Sequence, residues 1–225
     1  LKPNRLEAAK AVATDFVLSR PNDQIGLVVF AGESFTQCPL TTDHAVLVNL
    51  FQSVKFGMIE DGTAIGLGLA NAVNRMKDSP TKSKVVILLT DGSNNRGDID
   101  PQTAAEIAKT FNIRVYAIGV GSYSKEVKVP IHTPYGVQYG TMSSEFDEET
   151  LKKIAEMTGG EYFRATDNNS LRDIYDQIDK LEKTKIRARE YSKRTEYFMP
   201  FLWAALACLI LELLIRHFVL RTVSE

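Results

Sequence analysis

The sequence predicts an α/β fold, a doubly wound and mainly parallel sheet with helices on both faces. Continuous apolar runs such as Ile25–Ala31 and Ile113–Val120 are typical of parallel strands that are buried on both sides. Segments with helical spacing alternate with these runs along nearly the whole chain, which is the order of βαβ units. The 225 residues, 44% hydrophobic and 24% charged, suffice for one such domain and a smaller segment.

The helices are predicted from apolar periodicity and from capping residues. Either Thr42 or Asp43 is expected to cap the second helix, because short oxygen-bearing side chains satisfy the first free amides of a helix. Pro101 fits the first turn of the fourth helix, and Asp147 is expected to cap the fifth. The predicted helices cover residues 5–19, 44–54, 63–76, 101–110, 148–157 and 170–193.

Short apolar or β-branched runs between these helices predict the strands. Residues 124–146 are rich in Pro, Tyr and Gly, and we expect a β-hairpin insertion there. The α/β domain is predicted to cover residues 1–180. The predicted strands are Ile25–Ala31, residues 35–40, Val85–Thr90, Ile113–Val120 and Tyr162–Ala165.

The C-terminal part is predicted to be a membrane anchor. We expect a charged helical linker over residues 181–196 and a transmembrane helix over residues 197–220. The apolar stretch Tyr197–Ile215 carries one charge, Glu212. As a helix it would be about 28 Å long, close to the ~30 Å hydrocarbon core of a bilayer. The alternative is a buried helix of a larger soluble domain.

Two oxygen-bearing side chains stand where open α/β sheets bind ligands, outside the carboxyl ends of the strands. Asp91 directly follows the apolar strand Val85–Thr90, and Thr63 opens the next helix upstream. A carboxylate and a hydroxyl suit a hard divalent cation such as Mg²⁺. Two donors make most sense as part of a larger metal site. Asp98 and Asp100 follow in the same loop and would either add negative potential or serve solubility.

Composition argues against several other functions. A net charge of −1 gives no indication of a nucleic-acid partner. Cys38 and Cys208 are far apart, and the second lies in an apolar run, so a disulfide framework is not expected. The three histidines are scattered without zinc-site spacing. A non-enzymatic role is therefore favoured, with a metal-dependent hydrolase or a metal-free structural scaffold as alternatives.

Several motifs together resemble a von Willebrand factor type A (VWA) domain. More narrowly, the chain is similar to the membrane-anchored VWA proteins of bacterial aerotolerance (Bat) operons. The first resemblance is carried by Ile25–Phe30, Asp61–Gly66 and Leu88–Gly92. The second is carried by Pro3–Lys10, Asn94–Gly97, Val129–Pro130 to Tyr139–Gly140, and Leu181–Lys185.

This resemblance implies a metal-ion-dependent adhesion site (MIDAS) that binds a divalent cation, with Mg²⁺ expected. Thr63 and Asp91 match the threonine and aspartate of that site. Its Asp-x-Ser-x-Ser loop and the central strand before it are absent from this chain and would precede Leu1. The resemblance therefore implies metal-dependent protein–protein interaction rather than catalysis.

The resemblance also implies a cellular setting. Expected partners are other membrane or periplasmic proteins of the same operon, a MoxR-type AAA+ ATPase and the lipid bilayer. The expected role is in tolerance of oxidative or envelope stress. The expected location is the bacterial inner membrane. Family architecture favours a periplasmic domain, whereas the basic residues before the apolar segment favour the cytoplasm.

Overall fold

A computed structural model describes the backbone of residues 4–81, 83–121, 127–133, 136–142, 147–190 and 198–218. Side chains are described for residues 4–81, 83–121, 147–183 and 202–212. The chain divides into two compact units, one ending at Glu182 and one beginning at Lys183. The first unit is the α/β domain.

The alternation of strands and helices is confirmed. The helices are α1 (Arg5–Leu18), α2 (His44–Ser53), α3 (Ile65–Met76), α4 (Pro101–Thr110), α5 (Glu148–Thr158), α6 (Asn168–Glu190) and α7 (Phe198–Phe218). The strands are β1 (Ile25–Phe30), β2 (Ser34–Thr41), β3 (Lys84–Thr90), β4 (Ile113–Val120), β5 (Val127–Thr133), β6 (Gly136–Met142) and β7 (Tyr162–Ala165). The predicted hairpin insertion corresponds to β5 and β6, which pair antiparallel.

A three-stranded parallel sheet lies at the centre of the domain, in the order β3-β4-β7. The central strand β4 pairs with a neighbour on each side, in register with Ile87 opposite Tyr116 and Ile118 opposite Phe163. All but one of its residues are buried. This agrees with the prediction that its continuous apolar run is a parallel strand covered on both faces.

The predicted, mainly parallel sheet is divided among the described residues. Strand β1 pairs antiparallel with β2, and these two form a sheet of their own. Among the described residues, no strand pairs with the free edges of β1 and β3. The side chains of β1 and four of the seven of β3 are only partly buried or exposed, unlike those of β4. An apolar run predicts a strand but does not specify its neighbour.

Helices α1 and α3 connect the two sheets. Successive residues of β3 point to opposite faces, so Val86 and Leu88 pack with α3, α4 and α5, while Ile87 packs with α1 and α6. Phe30 of β1 packs on the α3 side. On the opposite face, Val17 of α1 packs with the residues of β1 whose side chains point away from the side of Phe30. The domain is therefore doubly wound, with helices on both faces.

Acidic side chains cap three helices, and two of these caps were predicted. Asp43 accepts a hydrogen bond from Val46 N at 3.1 Å, and Asp147 accepts one from Thr150 N at 3.0 Å. Asp100 caps α4 in the same way through the first amides of that helix. Each cap satisfies amides that have no partner within the helix. Asp100 thus has a structural role at α4 that the sequence analysis did not predict.

The C-terminal helix forms, but the predicted transmembrane segment over residues 197–220 is not supported. Helix α7 runs from Phe198 to Phe218. Within the part of the chain that the structure describes, no helix is both long and apolar enough to cross a bilayer. The predicted linker over residues 181–196 begins inside α6. Its remaining positions, 191–196, lie outside the described residues.

Glu182, near the end of α6, forms a buried polar network with the sheet. Its side chain accepts hydrogen bonds from Arg114 Nε at 2.9 Å, from the Tyr116 hydroxyl at 2.6 Å and from the Ser83 hydroxyl at 3.0 Å. Only 4% of Glu182 is exposed. Burial acts to raise the pKa of Glu182, but the hydrogen bonds from Arg114 and Tyr116 outweigh it and lower that pKa. The charged carboxylate therefore ties α6 to β3 and β4.

We predict that Glu182→Gln lowers the free energy of unfolding by about 3 kcal/mol at neutral pH, because it leaves the Arg114 charge buried without its partner. The folded-state pKa of Glu182 is lowered, so its stabilisation is present above the usual glutamate pKa. It is lost as the pH falls through the lowered value. Denaturant unfolding of both proteins between pH 7 and pH 3 should show the difference shrinking with acidification.

Glu149→Gln is the matched control, since Glu149 pairs with Lys153 on the surface of α5. This variant should unfold like the wild type at every pH. A pH-independent difference for Glu182→Gln would contradict the assignment of a charged carboxylate in the network.

Candidate functional site

Asp91 lies at the carboxyl end of β3, where the strand turns into the loop that leads to α4. Thr90, the last residue of the strand, is buried, and its hydroxyl accepts a hydrogen bond from Gly92 N at 3.3 Å. This bond turns the chain immediately after the strand. The Asp91 side chain is 55% exposed. The carboxylate therefore faces solvent at the edge of the sheet where α/β folds bind ligands.

The hydroxyl of Thr63 lies directly against this turn. A Cβ atom placed on Gly92 would be only 2.7 Å from Thr63 Oγ1, closer than any normal contact. Glycine at this position therefore allows the hydroxyl to approach the backbone next to Asp91. The structure thus brings together the two residues that the sequence singled out, from positions 28 residues apart.

The loop after Asp91 also holds the start of α3. Asn95 Oδ1 accepts a hydrogen bond from Thr63 N, and Asn94 Oδ1 accepts one from Ile65 N, both at 2.8 Å. Ala64, at the N-cap position, supplies no side-chain cap of its own. The two asparagines therefore replace the local cap from about 30 residues downstream, and they fix Thr63 relative to Asp91.

This cap explains a difference from the sequence-based prediction. The helix was expected to begin at Thr63, but α3 begins at Ile65. Thr63 is held in the preceding turn, where Ala64 N donates to Ala31 O at the end of β1 at 2.7 Å. Thr63 thus lies between the carboxyl ends of β1 and β3.

A third residue, Arg5, reaches the site from the first position of α1. Its Nη1 atom lies 2.9 Å from Asp91 Oδ2, and the two side chains are 50% and 55% exposed. Asn4 caps α1 through Glu7 N at 2.8 Å, which places Arg5 at the start of the helix. The sequence analysis gave Arg5, Asn94 and Asn95 no role at the site, although they lie in segments that carry the family resemblance. Each acts on a residue distant in the chain, and none belongs to a ligand motif.

The donor set fits a hard cation in kind. Asp91 offers a carboxylate, Thr63 a neutral hydroxyl, and the guanidinium of Arg5 shows that the carboxylate already attracts a positive charge. Among the described residues, no group of three or more His, Cys, Asp or Glu side chains could hold a metal ion. Asp100 is engaged as the cap of α4, and Asp98 is an exposed acid of the same loop. The described residues therefore supply only part of a cation site.

Comparison with known proteins identifies the family. The model of the von Willebrand factor type A domain matches residues 3–177. An uncharacterized protein of Borreliella burgdorferi is 28% identical over 221 residues, which are 98% of this chain and 64% of that protein. A UPF0353 protein of Mycolicibacterium paratuberculosis is 27% identical and is matched over 55% of its length. The chain therefore spans less than two thirds of the length of these relatives.

Solved structures with similar folds include two Bacteroides proteins. An aerotolerance-related membrane protein of Bacteroides fragilis has a TM-score of 0.65 at 28% identity, over 79% of this chain and 89% of that one. The conserved hypothetical protein BatB of Bacteroides thetaiotaomicron has a TM-score of 0.67 at 28% identity, over 81% and 91%. Proximal thread matrix protein 1 of the mussel byssus, solved with a zinc-occupied MIDAS motif, scores 0.59 at 27% identity, over 80% and 41%.

Proposed function

Because this chain belongs to the von Willebrand factor type A family, we propose that it is a non-enzymatic adhesion module that binds partner proteins through a divalent cation. The expected cation is Mg²⁺, held by Thr63 and Asp91 together with ligands outside this chain. The similarity to Bat proteins supports a role in protein–protein interaction. A relative with zinc in its MIDAS motif supports a metal at this place in the fold.

The observation that carries the proposal is the contact between Thr63 and the turn at Asp91–Gly92. The hydroxyl of Thr63, held against the turn that follows the Asp91 carboxylate at the carboxyl edge of the sheet, is a hard oxygen donor, as is the carboxylate. When bound, the cation would supply an open coordination position for a carboxylate of the partner. Asp91 would balance part of its charge, and the Asn94–Asn95 cap would keep Thr63 in place.

We also propose that one further strand pairs between β1 and β3 and brings the missing ligands. Both edges are free among the described residues, and α1 and α3 already cover the two faces of the gap. A strand inserted there would join the two sheets into the single sheet that the sequence predicts. Its carboxyl end would lie between Thr63 and Asp91, so a loop following it would complete the coordination.

The proposed partners are proteins encoded by the same operon, including a MoxR-type AAA+ ATPase, in a complex that supports tolerance of oxidative or envelope stress. The proposed location is the bacterial inner membrane, with the domain in the periplasm. A neighbour described as a membrane protein supports membrane association. Large apolar side chains exposed on α7 would provide the contact with lipid. They are Leu202, Trp203, Leu206, Leu209, Ile210 and Leu211.

We predict that Asp91→Ala in the full-length protein abolishes cation-dependent capture of operon-encoded partners. The measurement is a pull-down of each purified partner, including the ATPase, in Mg²⁺ and in EDTA. Thr63→Ala should also lose capture, whereas Thr63→Ser, which keeps the hydroxyl, should retain it. Asp98→Ala is the matched control, because Asp98 is an exposed acid of the same loop without a proposed role as a ligand.

Capture that is equal in Mg²⁺ and EDTA, or that survives Asp91→Ala, would contradict the adhesion mechanism. The same preparations test the absence of enzymatic activity. Hydrolysis of a generic phosphoester or peptide by the wild type that disappears in Asp91→Ala would show a metal-dependent hydrolase instead.

We predict that the fluorescence of Trp203, the single tryptophan, shifts to shorter wavelength when the protein is added to phospholipid vesicles. The indole is 66% exposed and would move from water into the interface of the bilayer. Leu209→Lys should weaken the shift, since it places a charge on the same helix. An unshifted spectrum at saturating lipid would contradict membrane association. Protease accessibility of the domain in spheroplasts tests its periplasmic side.

A further inference from the structure

We propose that Arg5 is a built-in counter-cation of Asp91, which the bound divalent cation must displace, so that Arg5 sets the cation affinity of the site. This inference rests on the proposed function, because it concerns the same carboxylate. It assigns to α1 a role in regulating the site in addition to its role in packing.

The position of Arg5 is not explained by its own helix. Arg5 is the first residue of α1, where the free amides carry partial positive charge and a cation is electrostatically unfavourable. The acidic residue of the first turn, Glu7, pairs with Lys10 at 2.8 Å. The ion-pair partner of Arg5 is Asp91, 86 positions away in the chain. The contact thus links the start of α1 to the end of β3 across the open edge of the sheet.

Arg5 and a divalent cation would compete for the same lone pairs. Arg5 Nη1 is 2.9 Å from Asp91 Oδ2, within hydrogen-bond distance. A divalent cation on that carboxylate would meet the guanidinium at contact distance, with repulsion between the two positive charges. Cation binding through Asp91 Oδ2 therefore requires the Arg5 side chain to swing away.

The size of the effect follows from the exposure of the pair. With half of each side chain in solvent, the pair is screened and falls in the weak range of surface ion pairs. We therefore expect removal of Arg5 to raise the cation affinity by about two- to fivefold. The gain should shrink at high ionic strength, because salt screens the pair that is being removed.

The test is titration of the full-length protein with Mn²⁺, with free ion followed by electron paramagnetic resonance. Arg5→Ala should bind Mn²⁺ about two- to fivefold more tightly than the wild type in 50 mM salt, with the difference reduced in 0.5 M salt. The matched control is Arg172→Ala. Arg172 pairs with Asp15 of α1 at 3.1 Å with side chains 55% and 61% exposed, away from the site. This variant should bind like the wild type.

The outcomes separate the two proposals. Equal or weaker binding by Arg5→Ala, with normal binding by the wild type, would overturn the role of Arg5 and leave the cation site intact. Absence of binding by the wild type would overturn both. Circular dichroism of each variant checks that the domain is folded, which is expected because both arginines lie on the surface.

Discussion

The domain depends on two helices that pack on both of its sheets and span the space between strands β1 and β3. Helix α3 covers one face of β1 and β3, and α1 covers the other. These helices are the link between the sheets, because the free edges of β1 and β3 have no partner strand among the described residues. The same arrangement brings the carboxyl ends of both strands to one place, and Thr63, Asp91 and Arg5 all lie there. Packing of the sheets and geometry of the site therefore have one cause.

The site is positioned through the backbone of Thr63 and Ile65, not through the side chains of the two candidate ligands. The hydrogen bonds from Thr63 N and Ile65 N to the two asparagines lock the start of α3 to the loop after β3. Gly66 reinforces this contact, since a Cβ there would lie 2.0 Å from Ile99 O. Such a cradle holds Thr63 and the turn after Asp91 in place before a ligand binds, which is what preorganised binding of a cation requires.

The sequence predicted what is set by neighbours in the chain. Apolar runs located β1, β3 and β4, and Asp43 and Asp147 were identified as caps because they act within three residues. Predictions were wrong or missing where the cause is distant in the chain. The start of α3 depends on Asn94 and Asn95, and among the described residues no strand pairs β1 with β3.

Residues at the ends of predicted segments show the same limit. Glu182 falls in a stretch that looked like an exposed charged linker, but it is buried against β4 through Arg114 and Tyr116. Its sequence neighbours are polar, so periodicity alone indicates a solvated helix. Arg5 likewise reads as an ordinary helix residue until the fold places Asp91 beside it. The candidate ligands could be identified because the end of a strand is visible in the local sequence. The charged residues that pair with them come from distant parts of the chain and are not visible in this way.

The most direct test of this account is hydrogen exchange of the strand amides in the full-length protein. If a further strand fills the gap, the amides of Ile25–Phe30 and Lys84–Thr90 that face it should be protected as strongly as those of β4, which has a partner on each side. In the 225-residue chain the same amides should exchange rapidly. Rapid exchange of these amides in the full-length protein would contradict the account, because the remaining cation ligands would then have no strand to bring them to Thr63 and Asp91.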